Sequence, residues 1–395
     1  MGRKNFVVVT KGKDPYENTR EALSQISFSP LGEKRILLKP NAARLMTPEQ
    51  GGTTHPAVVA AVIDHLRQCG CRDISIGESP VLGVKVEEAF QLTGMKRIAQ
   101  ERAIPLIDLD EEEPFDLPVP DGLVIKNLKV VAEMRRADYI VSIPVMKTHM
   151  HTKVTLSIKN MKGVLWRREK VRLHQLHAPR RVVRRNKELD VAISDLASVL
   201  LPDLAVIDGT IGMEGLGPSV GSPRNAGIIV VSEDPVSADT VASRLMGFSP
   251  QDIPHLRLIS ERGMGEIDLS RINIEPDNYL PLQEKFEPPP EKISFEYPDV
   301  VKHERGACSA CLSSALIFLK KYRSHLRDFY LADGRFHMAI GKGLKKLPKG
   351  TVIIGNCAFK HRNRGIFVKG CPPVASQILK ILISTKSKGG SINCK

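Results

Sequence analysis

Four cysteines in the last quarter of the chain, Cys308, Cys311, Cys357 and Cys371, have the type and spacing for metal chemistry. They run C-x2-C, then 45 residues to a third cysteine and 13 more to a fourth. Only seven cysteines occur in 395 residues, so the crowding needs a cause. Thiolates select zinc, copper(I) or iron–sulfur clusters. Four-cysteine zinc sites usually use two tight knuckles. Here the second pair is split, and a proline follows Cys371, as at cluster-ligating cysteines. The residues therefore point to a [4Fe-4S] cluster, with a four-cysteine Zn site and unligated thiols as the alternatives. Four protein ligands would leave no open position, which favours electron transfer or structure over Lewis-acid catalysis. Cys69 and Cys71 read as packed residues at a helix end, and Cys394 as incidental.

A second set of residues suits an anion. Lys39 and Asn41 leave an apolar run and enter a loop that ends Gly-Gly-Thr-Thr-His-Pro at 51–56. A helix starting there offers backbone N–H groups to an anion. Thr53 and Thr54 add hydroxyls, and Lys159 and Asn160 come from a later basic stretch. The expectation is a phosphate or carboxylate pocket, set against a plain helix N-cap at Thr54. Lys147, His149 and Asp208 are the candidate catalytic groups, able to steady an anionic substrate or move a proton. If 147–153 is extended, His149 and His151 share a face, but no carboxylate lies nearby to complete a metal site. The stretch 144–163 also holds Lys153 and Lys162. Asp208 and Glu214 bracket a glycine-rich segment, expected to be a loop that allows close backbone approach to a ligand. Asp234 is expected to cap a following helix, and Asp239 to face that same loop.

These groups must be positioned by alternating strands and helices. Phe6–Thr10, Arg35–Lys39, Asp73–Gly77, Asp138–Pro144, Leu204–Asp208 and Gly227–Ser232 read as strands. His55–Gln68, Lys85–Leu92, Leu189–Leu201 and Pro235–Met246 read as helices. The pattern predicts an α/β fold, a mostly parallel sheet with flanking helices over residues 1–274. Residues 275–300 contain Pro288-Pro289-Pro290 and read as a linker or wrapping arm. Residues 301–395 read as a smaller α/β module carrying the four-cysteine site. Its expected helices are Cys311–Tyr322 and Pro372–Ile383, its strands Thr351–Gly355 and Gly365–Lys369, and a frayed tail starts at Ser384.

The net charge is +14. Charge of that sign points to anionic partners. Residues 166–187 are strongly basic, with Trp166 as the lone aromatic. They fit a flap over an anionic ligand or a docking face for an acidic partner better than a nucleic-acid site, since no nucleic-acid motif accompanies them. An electron-transfer partner protein and a small anionic ligand are the expected partners. No run of about 18 apolar residues occurs, so no membrane span is expected. With no apolar leader at the start, the expected location is cytoplasmic.

Several motifs in one order carry a resemblance: Ile-Leu-Leu-Lys-Pro-Asn (36–41), Thr-Thr-His-Pro (53–56), Ile-Gly-Glu-Ser (76–79), Lys-Thr-His (147–149), Ser-Ile-Lys-Asn-Met-Lys-Gly (157–163), Asp-Gly-Thr-Ile-Gly-Met-Glu-Gly-Leu-Gly-Pro (208–218) and Glu-Asp-Pro-Val-Ser-Ala-Asp (233–239). Over about residues 35–265 the chain resembles the domain of unknown function 362 (DUF362) family of bacterial and archaeal proteins. The resemblance implies fold and context rather than a reaction. Members are often linked to [4Fe-4S] ferredoxin modules, which agrees with the cysteine reading. This chain departs from them, having no C-x2-C-x2-C-x3-C-P run. The functional expectation is an iron–sulfur oxidoreductase or electron-transfer protein acting with a small anionic ligand. The alternatives are a non-redox Lys/His/Asp enzyme with structural zinc, or a cluster-bearing sensor or nucleic-acid binder.

Overall fold

A computed structural model describes residues 5–28, 31–176, 178–183, 186–289 and 297–387. The chain divides into two units, Met1–Glu291 and Lys292–Lys395.

The strands of the first unit are β1 (Phe6–Lys11), β2 (Ile36–Pro40), β3 (Ile74–Glu78), β4 (Leu106–Asp108), β5 (Phe115–Pro118), β6 (Asn127–Val130), β7 (Tyr139–Ile143), β8 (Val145–His149), β9 (Lys153–Thr155), β10 (Leu204–Glu214), β11 (Ser222–Ser232) and β12 (Asn273–Glu275). All but β5 and β6 join one sheet, in the order β12-β1-β11-β10-β7-β2-β3-β4, with β8 beside β10 and β9 beside β8. β10, β7, β2, β3 and β4 are parallel, while β11 runs antiparallel to β1 and β10. This is an α/β fold with a mixed, mostly parallel sheet. Side chains alternate between two cores. Val7, Val9 and Leu37 enter one, and Val8, Ile36 and Leu38 enter the other. Strands buried on both faces read as unbroken apolar runs, which is why they stand out in the sequence.

The connectivity decides where a ligand can sit. From β2 the chain moves outward to β3 and β4, then returns to β7 on the other side of β2. The carboxyl ends of β2 and β7 therefore border a topological switch point, the usual ligand crevice of open α/β sheets.

Several expectations are corrected. The strand expected to stop at Asp208 continues to Glu214, and its antiparallel partner β11 begins at Ser222. The glycine-rich segment is thus largely a long hairpin arm, with a register shift between Gly209 and Ile211. The helix after Thr54 starts at Pro56, and its N-cap is His55, whose ring accepts the Ala57 N–H. His149 ends β8 and His151 lies in the following turn, so they do not alternate along one strand. Asp234 does cap the helix Pro235–Leu245, accepting the Val236 and Ser237 N–H groups. Of the stretch 275–300, Phe286 is buried in the first unit's core and the Glu284 N–H bonds the Leu245 carbonyl. Residues 290–296 lie outside the described residues.

The second unit has β13 (Val300–Glu304), β14 (Phe336–Ile340), β15 (Thr351–Ile354) and β16 (Gly365–Val368), side by side in that order and all parallel. Its two long helices are Ser309–Tyr322 and Ala375–Ser387. The first begins before Cys311, with Cys308 as its N-cap, and the second begins after both prolines and runs past Ser384. The rest of the expected tail, with Cys394, lies outside the described residues. The chain's charge is concentrated here. Residues 292–395 hold 20 Lys and Arg against 5 Asp and Glu, whereas residues 1–291 hold 38 against 39. Among the described residues, no helix is long and apolar enough to cross a membrane.

Candidate functional site

In the second unit, three of the four strand ends bring cysteines to one edge. Cys308 follows β13, Cys357 follows β15 and Cys371 follows β16, while Cys311 stands in the first turn of the helix that Cys308 caps. Cys308 and Cys311 share a hydrogen bond, and Cys357 and Cys371 both press electrostatically on Cys311. Gly355 makes room for this, with φ +96°, a conformation that favours glycine. A side chain there would begin 3.4 Å from Cys311 Sγ and 3.8 Å from Cys357 Sγ.

The Cys311 hydrogen bond, helped by backbone N–H groups of Cys311 and Ala310, pulls the Cys308 thiol down to about 6. The same hydrogen bond, with burial and the neighbouring thiolates, pushes Cys311 up. Burial, then Cys308 and Cys371, raises Cys357, opposed by a backbone hydrogen bond from Gly341. Among the described residues, no group of three or more His, Cys, Asp or Glu side chains is arranged to hold a single metal ion. The four thiols thus share one edge without closing around one ion.

In the first unit, the residues expected to form the anion pocket gather at the switch point, but most are engaged with one another. Lys39 is 1% exposed and pairs with Glu78 at 2.7 Å. Glu78 also accepts the Ala42 and Ser79 N–H groups. Gly163 packs onto this pair, and a Cβ there would sit 2.7 Å from Lys39 Nζ. The Thr54 hydroxyl accepts the Asn41 N–H and donates to the Ile143 carbonyl, tying β2 to β7. Thr53 makes a long bond, 3.4 Å, to the Met46 carbonyl. Asn160 donates to the Lys39 carbonyl and to Ser142 Oγ, and accepts from Asn41 Nδ2.

The three candidate catalytic residues have different hydrogen-bond partners. Lys147 donates to Asn41 Oδ1 and the Gly52 carbonyl. Burial, reinforced by Arg44, pushes its amine down to about 7. His149 accepts the His151 and Thr152 N–H groups on Nδ1, so the neutral ring carries its proton on Nε2. Asp208 instead accepts the His55 and Thr210 N–H groups, pinning the entry to the helix Pro56–Gln68. Glu214 accepts the Glu287 N–H.

Asp239 does not face the 208–218 segment. It accepts the Ser157 N–H, the Ser157 hydroxyl and the Ile158 N–H, and so fixes the turn that carries Lys159 and Asn160. Asp239→Ala should cost about 2–4 kcal/mol in urea unfolding, because three buried donors lose their acceptor. Asp239→Asn, which keeps one acceptor oxygen, should lose less. A midpoint unchanged in the alanine variant would remove Asp239 from this role.

The site also contains groups that spacing did not mark. Arg44 lies three residues past Asn41, and its charge acts on Lys147, Lys159, Lys162 and His174. Lys162 Nζ lies 2.7 Å from His174 Nε2. The rings of His149, His151 and His174 form a chain with centroid separations of 5.6 and 6.4 Å. From the basic stretch, Lys170 turns inward to Ser79 and Asp110, and the face of Trp166 is covered by Arg167 at 4.4 Å. His177, Arg184 and Arg185 lie outside the described residues.

Residues 36–244, more than half of the chain, match the family described as Domain of unknown function (DUF362). The chain belongs to the DUF362 family. The matched DUF362 region contains Lys39, Glu78, Lys147, Lys159, Lys162 and Asp239 and stops well short of the four cysteines. The chain is also similar to the thylakoid-associated protein sll1697 of Synechocystis, 27% identical over 230 residues, which is 58% of this chain and 68% of that protein. Among solved structures it is similar to the lactate racemase apoprotein from Thermoanaerobacterium thermosaccharolyticum. There the TM-score is 0.41 and the identity 11%, over 61% of this chain and only 57% of that one.

Proposed function

We propose that this DUF362 chain carries a [4Fe-4S] cluster on Cys308, Cys311, Cys357 and Cys371, and that it serves redox or electron-transfer chemistry with a small anionic ligand. The observation that carries the reading is the gathering of four thiols, from three separate segments, at the carboxyl edge of one small parallel sheet. The donor set fits the group. It is all sulfur, and backbone N–H groups of Ala310, Cys311 and Gly341 point at the sulfurs. Ligands of a cuboidal cluster each bind a different iron, so they need not close around one ion. When bound, the cluster would supply one-electron transfer. The chain's own part is to hold the thiolates and offset their negative charge, which the excess of Lys and Arg in the second unit favours. The same excess suits an electron-transfer partner with an acidic face.

The test is metal analysis of the full chain purified without oxygen. The expected result is about four iron and four sulfide per chain with a broad absorption near 400 nm, all lost in Cys357→Ser. One zinc per chain and no iron would overturn the redox reading and leave a structural metal site. Full iron content in Cys357→Ser would overturn the ligand set.

A further inference from the structure

Of the cations gathered at the switch point, two have carboxylates of their own: Lys39 has Glu78 at 2.7 Å and Lys170 has Asp110 at 3.3 Å. Four do not. Among the described residues, Lys147 bonds two neutral oxygens, of Asn41 and Gly52. Lys159 bonds Thr155 Oγ1 at 3.2 Å. Lys162 meets the His174 ring. Arg44 has neither a side-chain hydrogen bond nor an ion pair among the described residues. Asp190 attracts Lys159 but makes no ion pair with it; the buried Asp190 carboxyl lies 3.6 Å from the His255 ring. Lys147 is 2% exposed and Lys159 7%.

Holding like charges together out of water is costly unless opposite charge arrives. The cations also come from separate segments: the loop after β2, strand β8, and the 157–164 turns. Donors converging from several segments suit an anion with oxygens on all sides, and Arg44 adds a planar fork that phosphate accepts in bidentate fashion. A singly charged carboxylate would leave most of the positive charge unmet.

We propose that Arg44, Lys147, Lys159 and Lys162, with the Nε2–H of His149, form a binding site for a ligand bearing a phosphate or pyrophosphate group of charge −2 or more. This rests on the anionic-ligand part of the functional reading above and is independent of the cysteine centre.

The test is calorimetric titration of the full chain with sodium pyrophosphate, inorganic phosphate, citrate and acetate at one ionic strength. Pyrophosphate is expected to bind, about tenfold or more tighter than acetate or citrate. Arg44→Gln and Lys162→Met should each weaken it about tenfold, the equivalent of one charge-assisted hydrogen bond. Neither variant should melt below the parent without ligand, because each removes an unmet charge. Binding of citrate or acetate but not pyrophosphate would overturn the phosphate assignment and keep an anion site. Binding of none of the four would overturn both. Unchanged pyrophosphate affinity in Arg44→Gln and Lys162→Met would overturn the residue assignment. Weaker binding with an equally lowered melting temperature in both would show a structural role instead.

Discussion

Glu78→Ala should destabilise the first unit by about 3–5 kcal/mol, the usual cost of stranding one member of a buried ion pair. Glu78 is fully buried and accepts three donors: Lys39 Nζ, and the N–H groups of Ala42 and Ser79. Without it, Lys39 would keep only the Pro40 carbonyl, at 2.8 Å. Gly163 closes over the ammonium, so water has little room to replace the carboxylate. A loss of that size should lower the unit's thermal midpoint by roughly 10 °C, followed by circular dichroism. The double variant Lys39→Met, Glu78→Leu should recover much of it, since apolar side chains can replace a buried pair. Equal losses in the single and double variants would show that the ion pair is not the cause.

Without ligand, the protein should become more stable as pH rises from 7 to 9. In the fold, burial pushes the Lys147 and Lys162 amines down to about 7, and Lys159 well below its usual range. An unfolded chain keeps these amines protonated until about 10.4. Between those limits the unfolded state binds more protons, so stability rises with pH and is lost as pH falls toward 7. His149 and His174, held well below their usual range by burial, extend the same trend to lower pH. Asp239 opposes it only on the acid side, since burial raises its carboxyl to about 7. The pairs Lys39–Glu78, Lys170–Asp110 and His255–Asp190 also border the site. Pyrophosphate should stabilise most near pH 7 and progressively less toward pH 9, because its binding favours the charged amines. Thermal midpoints at pH 6 to 9, with and without pyrophosphate at constant ionic strength, would check this. A flat or falling profile between pH 7 and 9 without ligand would sink it.

Much of this architecture is legible from residue order. The runs around Val8, Leu37 and Val141 are apolar on both faces because parallel strands are covered on both sides, and that marks an α/β sheet. The apolar runs Thr351–Gly355 and Gly365–Lys369 place Cys357 and Cys371 after strands, where they lie. Asp234 before Pro235 marked a helix start that the fold contains. The long arm of β10 was hidden because its glycines look like a loop, and only pairing with β11 from Ser222 to Ser232 shows it to be a strand.

Residue order alone shows that buried strands alternate with amphipathic helices, that four thiols crowd the last quarter, and that lysines and histidines crowd 147–162. Which of those charges are already paired depends on the folded sheet. Lys39 looked free until β3 brought Glu78 beside it, and Thr54 looked like a cap until β7 brought the Ile143 carbonyl. Arg44 and His174 carry no distinguishing spacing, because what sets them apart is that no ion pair to Arg44 occurs among the described residues and that Lys162 lies beside His174. The physical reason is range. Backbone periodicity is written within a few residues, whereas the pairing of a buried charge depends on which strands become neighbours, and that is settled by the order of the sheet.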